Sequence, residues 1–229
     1  MMQPSASVFS PRHWLRAPVR RVLTRQLYFT GAESVVLVIL IGIALGAIIV
    51  AQLHYTFGQS GADTLRLLAQ LLFSELAPLV TALILIARSS SAMASELAAM
   101  QVHHEIRVLR QFGVSPVHYL VVPRVGGMVL ASVFLALYLA LAALLTAALM
   151  TAGPNAWDEL LQLGDVLPLQ RVLGGLTKTA LFGSVIALIA CRAGFLAGSA
   201  MTDIPQAASQ AVVRSLIAVF VLDALWGLL

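Results

Sequence analysis

Residues 75–124 read ELAPLVTALILIARSSSAMASELAAMQVHHEIRVLRQFGVSPVHYLVVPR. This stretch begins as an apolar segment, becomes charged in its middle, and ends as an apolar segment again. Small and polar residues frame the charged part, RSSS at residues 88–91 and GVSP at residues 113–116, and such residues are typical of places where helices start and stop. The pattern predicts one membrane span, a polar helix outside the hydrocarbon, and a second span.

The composition of the whole chain is that of an integral membrane protein. Of its 229 residues, 60% are hydrophobic and 10% are charged, and the mean hydropathy is +0.94, whereas about 25% of residues are charged in soluble domains. The single cysteine, Cys191, excludes an intrachain disulfide and a cysteine cluster for metal. We therefore expect an all-α membrane protein with one domain over residues 1–229 and no separate soluble domain.

Five apolar segments are long enough to cross a bilayer, since about 20 helical residues span its hydrocarbon core of about 30 Å. Most of the 14 Lys and Arg residues fall on the same side as the N-terminus, so the positive-inside rule predicts a cytoplasmic N-terminus and a C-terminus on the outer side. The predicted spans cover residues 35–53, 67–87, 125–150, 173–191 and 212–229.

The basic segment before the first span has two interpretations. Arg12, Arg16 and Arg20 recur every four residues, and apolar residues occupy another face, which predicts an amphipathic helix over residues 8–28 lying in the membrane interface. A disordered basic leader is the alternative, because prolines interrupt the segment. The apolar run that follows is too long for the core of a signal peptide, so we expect the N-terminus to be retained.

Three ionisable residues lie within predicted spans, where a charged group is costly and usually faces a cavity or a partner. Counted at about 1.5 Å per helical residue, Glu75, Lys178 and Asp223 all fall in the outer half of the bilayer. A shared polar site is geometrically possible, with Lys178 neutralising one of the carboxylates. A structural ion pair that only fixes helix register is the equal alternative.

The charged segment between the second and third spans has helical periodicity over residues 91–112, with apolar residues three to four positions apart. Gly113 and Pro116 end it. This helix either packs against the inner rim of the protein itself or presents one face to a cytoplasmic partner, and composition alone leaves both possibilities open.

Three further motifs in the sequence are weak indicators of function or packing. The sequence GGLTKT at residues 174–179 lacks the glycine that a phosphate-binding loop requires directly before the lysine. His103, His104 and Glu105 lack the four-residue spacing of a helical zinc site, so a solvated helix face is the better interpretation. Gly42 and Gly46 form a small-xxx-small pair that predicts a close helix contact.

Three blocks of sequence resemble the MlaE-type (YrbE-type) permeases of lipid-transporting ABC systems that work with MCE proteins. The first block is ELAPLVTAL with AR, SA and ASEL after it, similar to the ELGPVxTAL, AGR and AELG pattern of that family. The second combines GVSP with YLVVPR, and the third combines KTALFG, ALIAC, AVVRS and Asp223. The blocks occupy residues 75–83, 87–88, 91–92, 94–97, 113–116, 119–124, 178–183, 187–191, 211–215 and 223.

The resemblance implies a homodimeric permease of the bacterial inner membrane that moves phospholipid to or from a periplasmic MCE ring. It implies five spans, an interfacial N-terminal helix, and a separate cytoplasmic ATPase, with its own ATP and Mg, docked on the helix between spans two and three. A STAS-type accessory subunit is a further possible partner, and no nucleic acid or resident cofactor is expected. The resemblance places Glu75, Lys178, Asp223 and Ser74 at a lipid pocket, and Glu96, His104, Glu105, Arg107 and Arg110 at the ATPase contact.

The chain departs from this family pattern at two places. Ser74 stands where an arginine often precedes the glutamate, so the pocket has one positive charge fewer. The docking helix of the family is typically acidic, of the form EQIDALE, whereas residues 104–110 read HEIRVLR. We therefore expect the cognate ATPase to carry compensating acidic residues. A stand-alone ion-coupled carrier and a membrane assembly scaffold are the alternative functions.

Overall fold

The computed structural model describes residues 33–57, 61–158, 160–161 and 168–228. These residues are almost entirely helical and include no strand. The interfacial helix predicted over residues 8–28 lies outside them. The described α-helices are α1 Glu33–Phe57, α2 Gly61–Leu71, α3 Ala77–Leu85, α4 Ser91–Val102, α5 Glu105–Gln111, α6 Val122–Ala152, α7 Leu169–Phe195 and α8 Asp203–Trp226.

The prediction of five membrane spans is confirmed. The second and third apolar runs contain 38 and 42 residues, well above the roughly 20 that a bilayer requires, so their ends project beyond the hydrocarbon. The fifth begins earlier than the sequence predicted. The runs are Ser34–Leu53, Leu65–Val102, Val117–Asp158, Leu169–Phe195 and Asp203–Trp226.

Wider π-helical turns interrupt the long runs without breaking them. One turn, Leu72–Leu76, joins α2 to α3, and another, Val117–Val121, precedes α6. Pro78 and Pro123 each stand two residues after such a turn. Because proline lacks an N–H and collides with the carbonyl four residues earlier, the preceding turn widens. A third turn, Ile86–Ser90, joins α3 to α4, and the sequence offers no comparable cause for it.

The single helix predicted over residues 91–112 is divided in the structure, which corrects that prediction. The chain turns at His103 and His104, and His104 adopts a left-handed backbone with φ of 58°. The serines do not start a new helix, because Ser91 donates a hydrogen bond back to the Ala87 carbonyl at 3.1 Å and the helix continues. Four residues of α4 are buried where it packs on α7 and α8: Met93, Ala94, Leu97 and Ala98.

The close helix contact predicted at Gly42 and Gly46 is confirmed, and its partner is α6 of the same chain. A methyl group added at Gly42 would lie 2.7 Å from the Leu139 carbonyl oxygen, and one at Gly46 would collide with the Ala143 carbonyl. Small residues allow two backbones to approach this closely inside a membrane. The inner helix α6 is therefore covered by α1 on one side while α7 packs on another.

Candidate functional site

The three ionisable residues of the spans meet at one point. The Lys178 ammonium on α7 lies 2.6 Å from Glu75 Oε2 and 2.7 Å from Asp223 Oδ1. Lys178 also donates a hydrogen bond to the Ser74 carbonyl oxygen at 3.3 Å. The lysine side chain is 0% exposed, so its charge is stabilised by these neighbours instead of by water. We call Glu75, Lys178 and Asp223 the charged triad.

The π-helical turn Leu72–Leu76 positions two members of this site. Pro78 stands four residues after Ser74 and has no N–H to donate to the Ser74 carbonyl, which leaves that oxygen available to Lys178. The Ser74 hydroxyl instead bonds to the Gln70 carbonyl at 2.8 Å. Ser74, which the resemblance placed at the pocket, therefore contributes its backbone to the triad and not its side chain.

Gly175 brings α7 against the same π-helical turn. A methyl group at Gly175 would collide with the carbonyl of Phe73, so only glycine permits this approach. Lys178 follows Gly175 by three residues and lies on the same helix face. One turn further along α7, the Phe182 ring is buried, with its centroid 6.0 Å from the ammonium, at the limit of a cation–π contact.

The two carboxylates differ in their access to the surroundings. The Glu75 side chain is 49% exposed and that of Asp223 is 22% exposed. Asp223 Oδ1 is itself buried and is held by the ammonium at 2.7 Å. Lys178 is therefore buried, whereas Glu75 reaches the surface of this chain.

A second polar region lies at the opposite end of the helices, around α5. Ile106 anchors α5 with 1% exposure, while His104, Glu105, Arg107 and Arg110 are exposed. Most of α5 therefore faces away from the protein. Of the two possibilities left open for the charged segment, α4 packs on the protein itself and α5 presents its polar residues outward.

Glu96 is separated from the α5 residues with which the resemblance grouped it. Its carboxylate Oε2 lies 3.1 Å from Nη2 of Arg124, whose side chain is only 5% exposed. The other terminal nitrogen of Arg124, Nη1, is buried without a hydrogen-bond partner in the described part of the chain. Glu96 therefore supplies the charge that compensates a buried guanidinium between α4 and α6.

A cleft of about 230 Å³ lies beside the turn between α4 and α5. On one side it is bordered by Gln101, His104 and Arg107. The other side is the connection between α7 and α8, where the Asp203 carboxylate accepts a hydrogen bond from the Ala200 N–H at 3.0 Å. The residues of that connection that line the cleft are Ala197, Gly198 and Ser199.

Sequence reasoning missed four residues that shape these regions. Phe182 follows Lys178 by four residues and thus shares its helix face, a spacing that could have identified it. Pro78 lies in the first of the sequence blocks. Because proline has no N–H, its position also indicated that the Ser74 carbonyl, four residues earlier, lacks its usual helical hydrogen bond. Gly175 and Arg124 gave no such signal, because only the contact across helices shows what they do.

Comparison with known proteins identifies the family of this chain. The family described as "Permease MlaE" matches residues 23–229. The chain belongs to the MlaE permease family. A protein named "Probable ABC transporter permease protein" from Synechocystis sp. is 30% identical over 209 residues, which cover 88% of this chain and 79% of that relative.

Two further relatives come from distant organisms. "Protein TRIGALACTOSYLDIACYLGLYCEROL 1, chloroplastic" of Arabidopsis thaliana is 28% identical, covering 92% of this chain and 60% of that protein. The "Intermembrane phospholipid transport system permease protein MlaE" of Haemophilus influenzae is 25% identical, covering 88% and 80%. The resemblance drawn from the sequence blocks is confirmed, and the chain is an ABC-type permease and a multi-pass inner membrane protein.

Proposed function

We propose that this chain forms the lipid path of an ABC transporter that moves phospholipid or a related lipid between the inner membrane and a periplasmic MCE protein. The observation that carries the proposal is the charged triad inside the membrane spans, with Lys178 buried and Glu75 half exposed. If the ion pair only fixed the register of the helices, both the lysine and its carboxylate partners would be expected to be buried. The relative from Haemophilus influenzae, named as a phospholipid transport permease, supports the choice of cargo.

The proposed assembly needs partners that this chain does not contain. A separate cytoplasmic ATPase binds ATP and Mg and supplies the energy, while a second copy of this chain completes the path as a homodimer. The N-terminus is cytoplasmic and the C-terminus is periplasmic, as the distribution of Lys and Arg predicts. A STAS-type subunit is compatible with this assembly but is not required by any residue described above.

We place the ATPase contact on α5 and the turn before it. Three cationic or titratable side chains are exposed there, those of His104, Arg107 and Arg110. The apolar Phe112 directly after α5 is 79% exposed, and aromatic residues and arginines are enriched at protein–protein interfaces. The basic character predicts an acidic surface on the ATPase.

Purification of the complex from its native membrane tests this function. Co-purified proteins and lipids are identified by mass spectrometry, and ATP-dependent lipid movement is then measured in proteoliposomes. We expect an ATPase, an MCE protein and phospholipid, and we expect Lys178→Met to lose most transport while Arg171→Met, a cation removed at the exposed start of α7, retains it. Full transport by folded Lys178→Met protein would contradict the proposal.

A stand-alone ion-coupled carrier is the second candidate, because two carboxylates and a lysine within spans also resemble an ion relay. Uptake driven by a proton or ion gradient without any ATPase would favour the carrier. A scaffold without a transport path would tolerate Lys178→Ala and Glu75→Ala together with no loss of transport.

A further inference from the structure

The charge balance of the triad is uneven. Two carboxylates face a single ammonium, so the ionised cluster carries an excess of negative charge. The position before Glu75, occupied by Ser74, provides no compensating cation. A site with this balance attracts a cationic group and repels an anionic one.

The Lys178 ammonium is already occupied by protein acceptors. A lysine has three N–H donors, and three oxygens lie around this one: Glu75 Oε2 at 2.6 Å, Asp223 Oδ1 at 2.7 Å and the Ser74 carbonyl at 3.3 Å. A phosphate group could bind Lys178 only by displacing one of these acceptors. Lys178 is thus a positioning residue for the two carboxylates, and not a free receptor for an anion.

The carboxylates, in contrast, retain the capacity to accept hydrogen bonds. Asp223 Oδ1 is held by the ammonium at 2.7 Å, but the Asp223 side chain is 22% exposed, and its second oxygen can accept a hydrogen bond. Glu75 is half exposed and, among the described residues, bonds through one oxygen to Lys178. A carboxylate accepts through both oxygens, so a ligand can approach it from the open side.

Resting on the proposed function, we propose that the charged triad binds the ammonium group of a zwitterionic aminophospholipid headgroup, and thereby selects such lipids over anionic ones. A primary ammonium donates hydrogen bonds to both carboxylates and offsets their excess charge. A quaternary ammonium offsets the charge but donates no hydrogen bond. The order of preference is therefore primary ammonium, quaternary ammonium, and anionic glycerol headgroup.

Native mass spectrometry of the purified full-length chain tests this order. The protein is incubated with equal amounts of phosphatidylethanolamine, phosphatidylcholine and phosphatidylglycerol that carry identical acyl chains. We expect phosphatidylethanolamine to be bound at least about tenfold over phosphatidylglycerol, the ratio that one charge-assisted hydrogen bond provides. Phosphatidylcholine should fall between them.

The variants link this preference to the triad. Glu75→Gln and Asp223→Asn should each reduce the ratio of phosphatidylethanolamine to phosphatidylglycerol, and the double variant should abolish it. Asp158→Asn, which removes an exposed carboxylate outside the triad, should leave the ratio unchanged. If a neutral variant fails to fold, Glu75→Asp, which keeps the charge but withdraws it by one methylene, takes its place and should lower the ratio without abolishing it.

Equal or stronger binding of phosphatidylglycerol by the unmodified chain would overturn the inference, as would a preference that persists in the folded double variant. Neither result would affect the permease proposal, provided that phospholipid is still transported with ATP. Failure of the permease proposal would give a different result: folded Lys178→Met protein would transport lipid as well as the unmodified chain does.

Discussion

The Lys178 ammonium lies 3.3 Å from the backbone carbonyl oxygen of Ser74, the carbonyl that Pro78 is unable to bond. Through this contact, a backbone oxygen of the second span stabilises the charge of a lysine on α7. Proline removes a hydrogen bond within the second span, the chain widens into a π-helical turn, and the freed oxygen becomes a ligand for a buried cation. Glu75, the next residue, is presented to the same cation at 2.6 Å.

Pro78→Ala should reduce transport without reducing stability. An alanine N–H would bond to the Ser74 carbonyl, a gain of about 1 kcal/mol for a typical hydrogen bond, and would compete with Lys178 for that oxygen. The control is Pro123→Ala, which removes the equivalent proline after another π-helical turn, far from the triad in sequence. Transport in proteoliposomes and thermal unfolding in detergent measure the two effects. Unchanged transport by Pro78→Ala would show that the freed carbonyl is unimportant.

The adjacent glycines of α7 provide a matched pair for packing. At Gly175 an added methyl group meets the Phe73 carbonyl, whereas at Gly174 nothing lies within 4 Å. We expect Gly175→Ala to destabilise the protein by about 1–3 kcal/mol, the usual cost of overpacking, and to reduce transport by moving Lys178. Gly174→Ala should be neutral or stabilise by up to about 1 kcal/mol, because alanine favours the helix. Similar unfolding temperatures for both variants would contradict this account.

Glu96→Gln should affect stability more than ATPase coupling. Without the carboxylate, the buried Arg124 guanidinium loses its ion-pair partner, and an unsatisfied buried donor costs about 1–3 kcal/mol. Glu105→Gln, at the exposed start of α5, should cost less than about 1 kcal/mol. Thermal unfolding of both variants is compared with their stimulation of the ATPase per folded molecule. A loss of stimulation by Glu96→Gln at unchanged stability would instead assign Glu96 to the ATPase contact.

Charge reversal on α5 should weaken the ATPase contact. Arg107→Glu combined with Arg110→Glu is expected to lower ATPase stimulation at least about tenfold, since mispaired charges at an interface cost several kcal/mol. Arg192→Glu, which changes an exposed arginine at the end of α7, should have little effect.

The same prediction extends to the partner. An ATPase of the family that is adapted to an acidic docking helix should stimulate poorly with this chain, and basic substitutions on the cognate ATPase should rescue the reversed variant. Equal stimulation by both ATPases in reconstituted membranes would rule out the electrostatic explanation.

The sequence by itself determined the spans and the ionisable residues within them. Hydrophobicity over about 20 residues is a local property, so the five spans are visible without any knowledge of packing. The high cost of charge in hydrocarbon likewise identified Glu75, Lys178 and Asp223 from sequence. The motif blocks around them were sufficient to indicate the family.

The tertiary structure alone decided how these residues are paired. Lys178 contacts both carboxylates, an outcome that depends on the rotation of α7 and α8 about their axes and on the close approach at Gly175. The charged segment divides at His104, where the backbone is left-handed, so that α4 packs on α7 and α8 while most of α5 faces away from the protein. Helix rotation and contacts between residues distant in sequence are long-range properties, so the spacing of residues along one helix does not determine them.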